Sequence, residues 1–190
     1  PCWLSPSTCH VSDTPPTCAG SGGGGGGGCL GANCGGGGGG AACEASAKAK
    51  ALAVSRQEPG AWVLGSDQTL AFEGGLVSKA PTLVAARDRL RTMRGRIHHL
   101  HSGAALARDG AVAWSGVDTA QMAMRDFSDA FLDAYLDTEG EPVLASVGAY
   151  RLEGMGSQLF DHVDGDYFTV LGMPLWAVLA ELRRVGVIAA

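Results

Sequence analysis

An α/β domain with helices flanking a mixed sheet is the fold class this sequence predicts, and three observations predict it. Between Ala45 and Gly186 some stretches space their apolar residues helically and others run apolar in strand-like blocks. Thr82 and Ser128, both residue types that cap helices, stand directly before two of the helical stretches. Pro59-Gly60, Asp109-Gly110 and Asp164-Gly165 punctuate the chain at intervals that suit single elements. A chain of 190 residues suits one domain, or one domain of two lobes, with a sizeable core.

The first 43 residues stand apart from the rest. They hold all six cysteines and half of the 30 glycines, and Asp13 is their only charged side chain. Glycine runs cannot bury apolar surface to offset the entropy of ordering, so residues 1–43 are expected to be disordered. A disulfide module or a zinc site fits poorly, because Cys29 and Cys34 have no second pair at ligand distance. A frameshifted or mispredicted reading fits better: GGC glycine codons read one base along become GCG, alanine. The folded domain is therefore expected to span residues 44–190.

The elements follow in order. Ala45 to Ser55 is dense in alanine and carries Lys48 and Lys50, a helix-forming composition that Pro59-Gly60 stops. Ala61 to Leu64 reads as a buried strand that breaks at Gly65-Ser66 and delivers Asp67 from its end; a second apolar run and a Gly-Gly turn lead to Lys79. Thr82 caps a helix from Leu83 to Arg94, with Leu83, Ala86, Leu90 and Met93 on one stripe. Arg96 to Ala107 and Ala111 to Met124 form two long strands joined through Asp109-Gly110. Ser128 caps a helix from Asp129 to Leu136, and Val147 to Gly156 forms a loop before a strand from Gln158 to Val163. Pro174 opens a last helix with Leu175, Val178, Leu179 and Leu182 inward.

The net charge of −5, with no basic stripe, argues against a nucleic-acid partner, and no stretch of the folded part reaches membrane-spanning length. Glu153, Asp161, Asp164 and Asp166 gather late in the chain. With Asp67 they suit a hard divalent cation, which binds through one or two carboxylates plus substrate phosphates, while Lys48, Lys50 and Lys79 suit the phosphates themselves. An acidic turn and solvated lysines would have the same composition. His98 and His101 on their strand read as packed side chains.

Five motifs taken together resemble one family. They are Gly65-Ser66-Asp67-Gln68; Ser78-Lys79; Arg94-Gly95-Arg96-Ile97-His98-His99-Leu100-His101-Ser102-Gly103; Val147-Gly148-Ala149-Tyr150-Arg151-Leu152-Glu153-Gly154-Met155-Gly156; and Asp164 through Leu175. In order and spacing they are similar to the Maf nucleoside triphosphate pyrophosphatases, over about residues 45–186. That resemblance implies a Maf and inosine-triphosphatase-like fold, two lobes around a nucleotide cleft. It also implies hydrolysis of a nucleoside triphosphate to the monophosphate and pyrophosphate with Mg²⁺ or Mn²⁺, a house-cleaning role, a cytoplasmic location and a homodimer. Asp67 falls on the family's proton acceptor, with base and metal ligand both open as its role. Lys50, Lys79 and Glu153 fall on substrate-binding positions, and Glu153 joins Asp67 as a candidate metal ligand. Ser66-Asp67-Gln68 with Glu153 is similar to the branch acting on 7-methyl-GTP. The alternative is a non-catalytic nucleotide-binding regulator of cell division on the same scaffold. Nothing in residues 1–43 matches the Ser-containing, arginine-rich phosphate loop with which that family opens, and Lys79-Ala80-Pro81 replaces its Lys-Pro. The chain as written is accordingly expected to be unstable or nearly inactive.

Overall fold

The computed structural model describes residues 38–189. The expectation for residues 1–37 lies outside them. A first helix, α1 (Gly39–Ser55), is followed by β1 (Val63–Phe72) and β2 (Gly75–Val77), then α2 (Leu83–Met93). The long strands β3 (Ile97–Arg108) and β4 (Ala111–Met124) come next, then α3 (Asp129–Glu139), β5 (Phe160–Asp164), a single-turn α4 (Tyr167–Val170) and α5 (Leu175–Arg184). The five strands form one sheet in the order β2-β1-β3-β4-β5, flanked by helices. Every ladder among the described residues is antiparallel, and two-residue turns link the paired neighbours β1–β2 and β3–β4. In those turns Glu73-Gly74 and Asp109-Gly110 all have positive φ, which matches the right-handed twist of the strands they join.

β1 runs without interruption through Gly65 and Ser66, so Asp67 lies in mid-strand and not at a strand end. The reason is the helix above it. The buried positions of α1 recur every fourth residue at Gly39, Cys43, Ala47, Ala51 and Ser55, a stripe of small side chains that lets the helix sit close on the sheet. A Cβ on Gly65 would fall 2.4 Å from the Ala47 carbonyl oxygen, and one on Gly103 3.0 Å from the Cys43 backbone. Both glycines are thus there for close approach and not for a break. The same packing draws the helix back to Gly39, five residues before the expected boundary at Glu44. A Cβ on Gly39 would strike the His101 ring, and the Thr69 hydroxyl donates to the Gly39 carbonyl at 3.0 Å.

Two apolar clusters share the β3–β4 hairpin. The larger joins the sheet's Leu70, Leu100 and Met122 to Leu90 and Met93 of α2 and to Leu132 and Tyr135 of α3. The smaller is the alanine packing of Ala47 and Ala51 on Ala105 and Ala107. Side chains of Thr82 and Ser128 accept from Ala85 and Phe131 as N-caps, where the sequence placed them. No helix among the described residues is long and apolar enough to cross a membrane.

Candidate active site

Two concavities of similar volume indent the described surface, and chemistry separates them. One of about 380 Å³ between α2 and α3 presents Arg87 and Asp133, but these close on each other in a two-bond ion pair (2.6 and 3.0 Å). The other, about 390 Å³, is walled by β1, by the loop after α3 and by the residues following α4, and it gathers Asp67, Lys79, Arg151 and Glu153. Its size and its mixture of apolar lining with a few charged groups suit a small-molecule site.

Pleating distributes the β1 side chains. Asp67, opposite Gly103, belongs to the face that α1 covers, and Lys50 reaches from α1 to meet it. The Lys50 ammonium donates to Asp67 Oδ1 at 2.6 Å and to the Ser66 carbonyl at 3.1 Å. With the lysine side chain more than half exposed, the pair contributes at most about 1 kcal/mol to stability. Its consequence is positional: it fixes a carboxylate and a cation side by side at the cleft. Cys43, nearby on α1, is no nucleophile there. Burial, with the Asp67 charge adding to it, pushes its thiol up to about 11.

Gln68, on the opposite face, pairs with Ser102, which pairs in turn with Asp118, so three strands present one polar side chain each in register. All three hold α4. Gln68 Nε2 donates to the carbonyls of Thr169 (3.1 Å) and Val170 (2.9 Å), the Ser102 hydroxyl donates to the Thr169 carbonyl at 2.7 Å, and the Thr169 hydroxyl donates to Asp118 Oδ2 at 2.8 Å. This belt sets Val170, Leu171 and Gly172 as a wall of the cleft. Sequence reading missed it, since the partners lie 51 to 102 residues apart; the one local signal was Asp166, whose side chain caps α4 by accepting from Phe168 and Thr169.

The loop between α3 and β5 supplies the third wall. Its Tyr150 turns inward, 5% exposed, and its hydroxyl lies 2.7 Å from His98 Nε2. Burial, with His99 nearby, holds the His98 imidazole down at about 4. The unfolded chain therefore takes up this proton first as pH falls. His98 contributes stability above about pH 6.5, and that contribution is lost as pH falls toward 4, by about 2 kcal/mol at pH 5 at about 1.4 kcal/mol per unit. Urea unfolding at pH 7.5 and pH 5 measures it, and His98→Gln is expected to flatten the difference.

Asp67, Lys79 and Glu153 line one cleft, and Lys50 reaches it through Asp67. The late acids Asp161, Asp164 and Asp166 are not part of it. Asp166 caps α4 and accepts from the Trp176 indole at 2.7 Å, while Asp161 and Asp164 lie on β5. Lys48 instead pairs with Glu44 on the surface of α1. Among the described residues no three His, Cys, Asp or Glu side chains cluster as a complete metal cage. Two carboxylates on a common cleft fit a cation that takes its other ligands from phosphate and water.

The nucleoside triphosphate pyrophosphatase of Maricaulis maris (strain MCS10) is 51% identical over 142 residues, covering 75% of this chain and 72% of that protein. The 7-methyl-GTP pyrophosphatase of Brucella suis biovar 1 (strain 1330) is 49% identical over 138 residues, 73% of this chain and 69% of that protein. The pattern of the family described as Maf-like protein matches residues 38–185, which holds every element from α1 to α5. The chain belongs to the Maf-like protein family.

Proposed function

We propose that the chain hydrolyses a nucleoside triphosphate to its monophosphate and pyrophosphate, using Mg²⁺ or Mn²⁺, in the cleft of Asp67, Lys79 and Glu153. The observation that carries this is the meeting of a strand-held carboxylate with lysines from two other parts of the chain at one concavity of nucleotide-accommodating size. Relatives of about half identity that carry the names nucleoside triphosphate pyrophosphatase and 7-methyl-GTP pyrophosphatase support it.

In the reaction one water adds at phosphorus, the anhydride between the α and β phosphates breaks, and one proton is released. Asp67 accepts the proton of the attacking water or holds the cation; both tasks need the carboxylate fixed, and the Lys50 bonds to Oδ1 and to the adjacent carbonyl fix it. Lys79 binds the phosphate oxygens on which negative charge grows as pyrophosphate departs. A divalent cation held by Asp67 would polarise the phosphoryl oxygens and offset that charge. The family likeness supports a cytoplasmic location and a homodimer.

The base enters through Glu153 and Gln68. The carboxylate of Glu153, exposed at the cleft, suits a purine made cationic by methylation, and Gln68 acts by placing the Val170–Gly172 wall. In competition, 7-methyl-GTP is expected to be consumed about tenfold faster than dTTP or UTP, since one added charge contact is worth roughly that factor. Equal or reversed preference contradicts the assignment of the base. Nucleotides that raise the melting temperature without releasing pyrophosphate would favour a binding protein that regulates division.

A further inference from the structure

The loop that carries Arg151 and Glu153 is over-determined by contacts that the reaction itself does not require. Arg89 of α2 donates to the Val147 carbonyl at 3.0 Å, and Tyr135 of α3 to the Ala149 carbonyl at 3.4 Å. The Glu139 carboxylate accepts from the Met155 amide at 2.7 Å. Gly148 lies so close to the Tyr150 ring that a Cβ there would fall 2.2 Å from it, and Ala149 holds a φ of 59°, which a non-glycine residue adopts only when its surroundings impose it.

At the centre is the Tyr150 ring, set edge-on to Phe160 of β5 with centroids 4.8 Å apart. Its hydroxyl reaches His98 in β3, a residue 0% exposed whose other ring nitrogen, Nδ1, has no partner among the described residues. A buried imidazole that forgoes one hydrogen bond is costly to keep, and an apolar residue of similar size would fill the same space at lower cost. What His98 does that an apolar residue cannot is to hold the Tyr150 hydroxyl. The next residue after Tyr150 is exposed Arg151, and Glu153 follows two further on; all three line the cleft.

We propose that His98 and Tyr150 are positioning residues for nucleotide recognition: their hydrogen bond fixes the height of the 147–153 loop above the sheet and so the placement of Arg151 and Glu153 at the cleft. The pair touches neither the phosphates nor the attacking water. Its loss therefore loosens binding more than it slows the bond-breaking step. The proposal rests on the pyrophosphatase reading for its substrate, and the anchoring itself is open to a separate test.

Tyr150→Phe keeps the ring and its contact with Phe160 but removes the hydroxyl. With 7-methyl-GTP as the probe, this variant is expected to raise KM about tenfold while kcat falls less than about threefold. His98→Leu, which keeps most of the buried volume, combined with Tyr150→Phe should raise KM no further than Tyr150→Phe alone, because both remove the same hydrogen bond. Trypsin should cut after Arg151 about tenfold faster in Tyr150→Phe than in the parent. Val63→Ala, in the separate alanine cluster beneath α1, serves as the control for stability alone; it should lower the melting temperature without changing KM. If Tyr150→Phe keeps the parent's KM and its resistance at Arg151, or behaves as Val63→Ala does, the proposal is overturned. A parent protein that turns over no nucleotide removes the pyrophosphatase reading alone, and the anchoring then stands or falls on the rate of cleavage after Arg151.

Discussion

Asp67→Asn lowers turnover by a factor on the order of 10² or more relative to the parent chain, while the fold survives; this is the largest effect on activity expected of any single substitution here. Asparagine keeps the shape of the side chain and a carbonyl oxygen for Lys50, so the bond at Oδ1 has a successor and β1 keeps its place between β2 and β3. It loses the negative charge, and with it both the capacity to accept a proton and most of the affinity for a hard cation. Because the Lys50–Asp67 pair is exposed on the lysine side, its weakening costs little stability, and the melting temperature is expected to shift by no more than a few degrees. Steady-state pyrophosphate release measured beside circular dichroism separates the two effects. Parent-like turnover in this variant would remove Asp67 from the chemistry.

Gly65→Val is the change expected to cost the most stability. The added Cβ meets backbone atoms of α1, the Ala47 carbonyl oxygen at 2.4 Å and the Ala51 nitrogen at 2.7 Å, and backbone within a helix cannot turn aside as a side chain can. The helix must lift from the sheet, which separates Ala47 and Ala51 from Ala105 and Ala107 and carries Lys50 away from Asp67. A loss of about 3 kcal/mol or more follows from the overpacking and the lost burial together. Gly75→Ala is the contrasting case: φ there is not positive and the nearest atom to an added Cβ is the Phe72 oxygen at 3.7 Å, so less than about 1 kcal/mol is expected. Denaturant midpoints for the two variants decide the matter.

What could be read from the sequence follows the range of the interactions responsible. Helix caps act over three residues and hairpin turns over four, so Thr82, Ser128 and Asp109-Gly110 announced α2, α3 and the β3–β4 hairpin on their own. Asp67, Lys79 and Glu153 were legible as a group only through the motifs around them, and the cleft that they line is assembled by the sheet. Gly65 misled, because a glycine that ends a strand and a glycine that admits a helix look alike until the helix is in place. The start of α1 at Gly39 could not be read for the same reason: glycine disfavours helix locally, and contacts with His101 and Thr69, 62 and 30 residues away, outweigh it. The Gln68–Ser102–Asp118 belt and the His98–Tyr150 bond likewise depend on strand register, which a single sequence does not display.

Incubating the chain with 7-methyl-GTP and Mg²⁺ and identifying the products by ³¹P nuclear magnetic resonance tests the pyrophosphatase reaction itself. Product identity does not depend on how fast the chain turns over, so a slow enzyme answers as clearly as a fast one. The expected products are 7-methyl-GMP and pyrophosphate in equal amounts, both abolished by Asp67→Asn. Accumulation of 7-methyl-GDP with inorganic phosphate, or equal product formation by Asp67→Asn, would contradict this expectation.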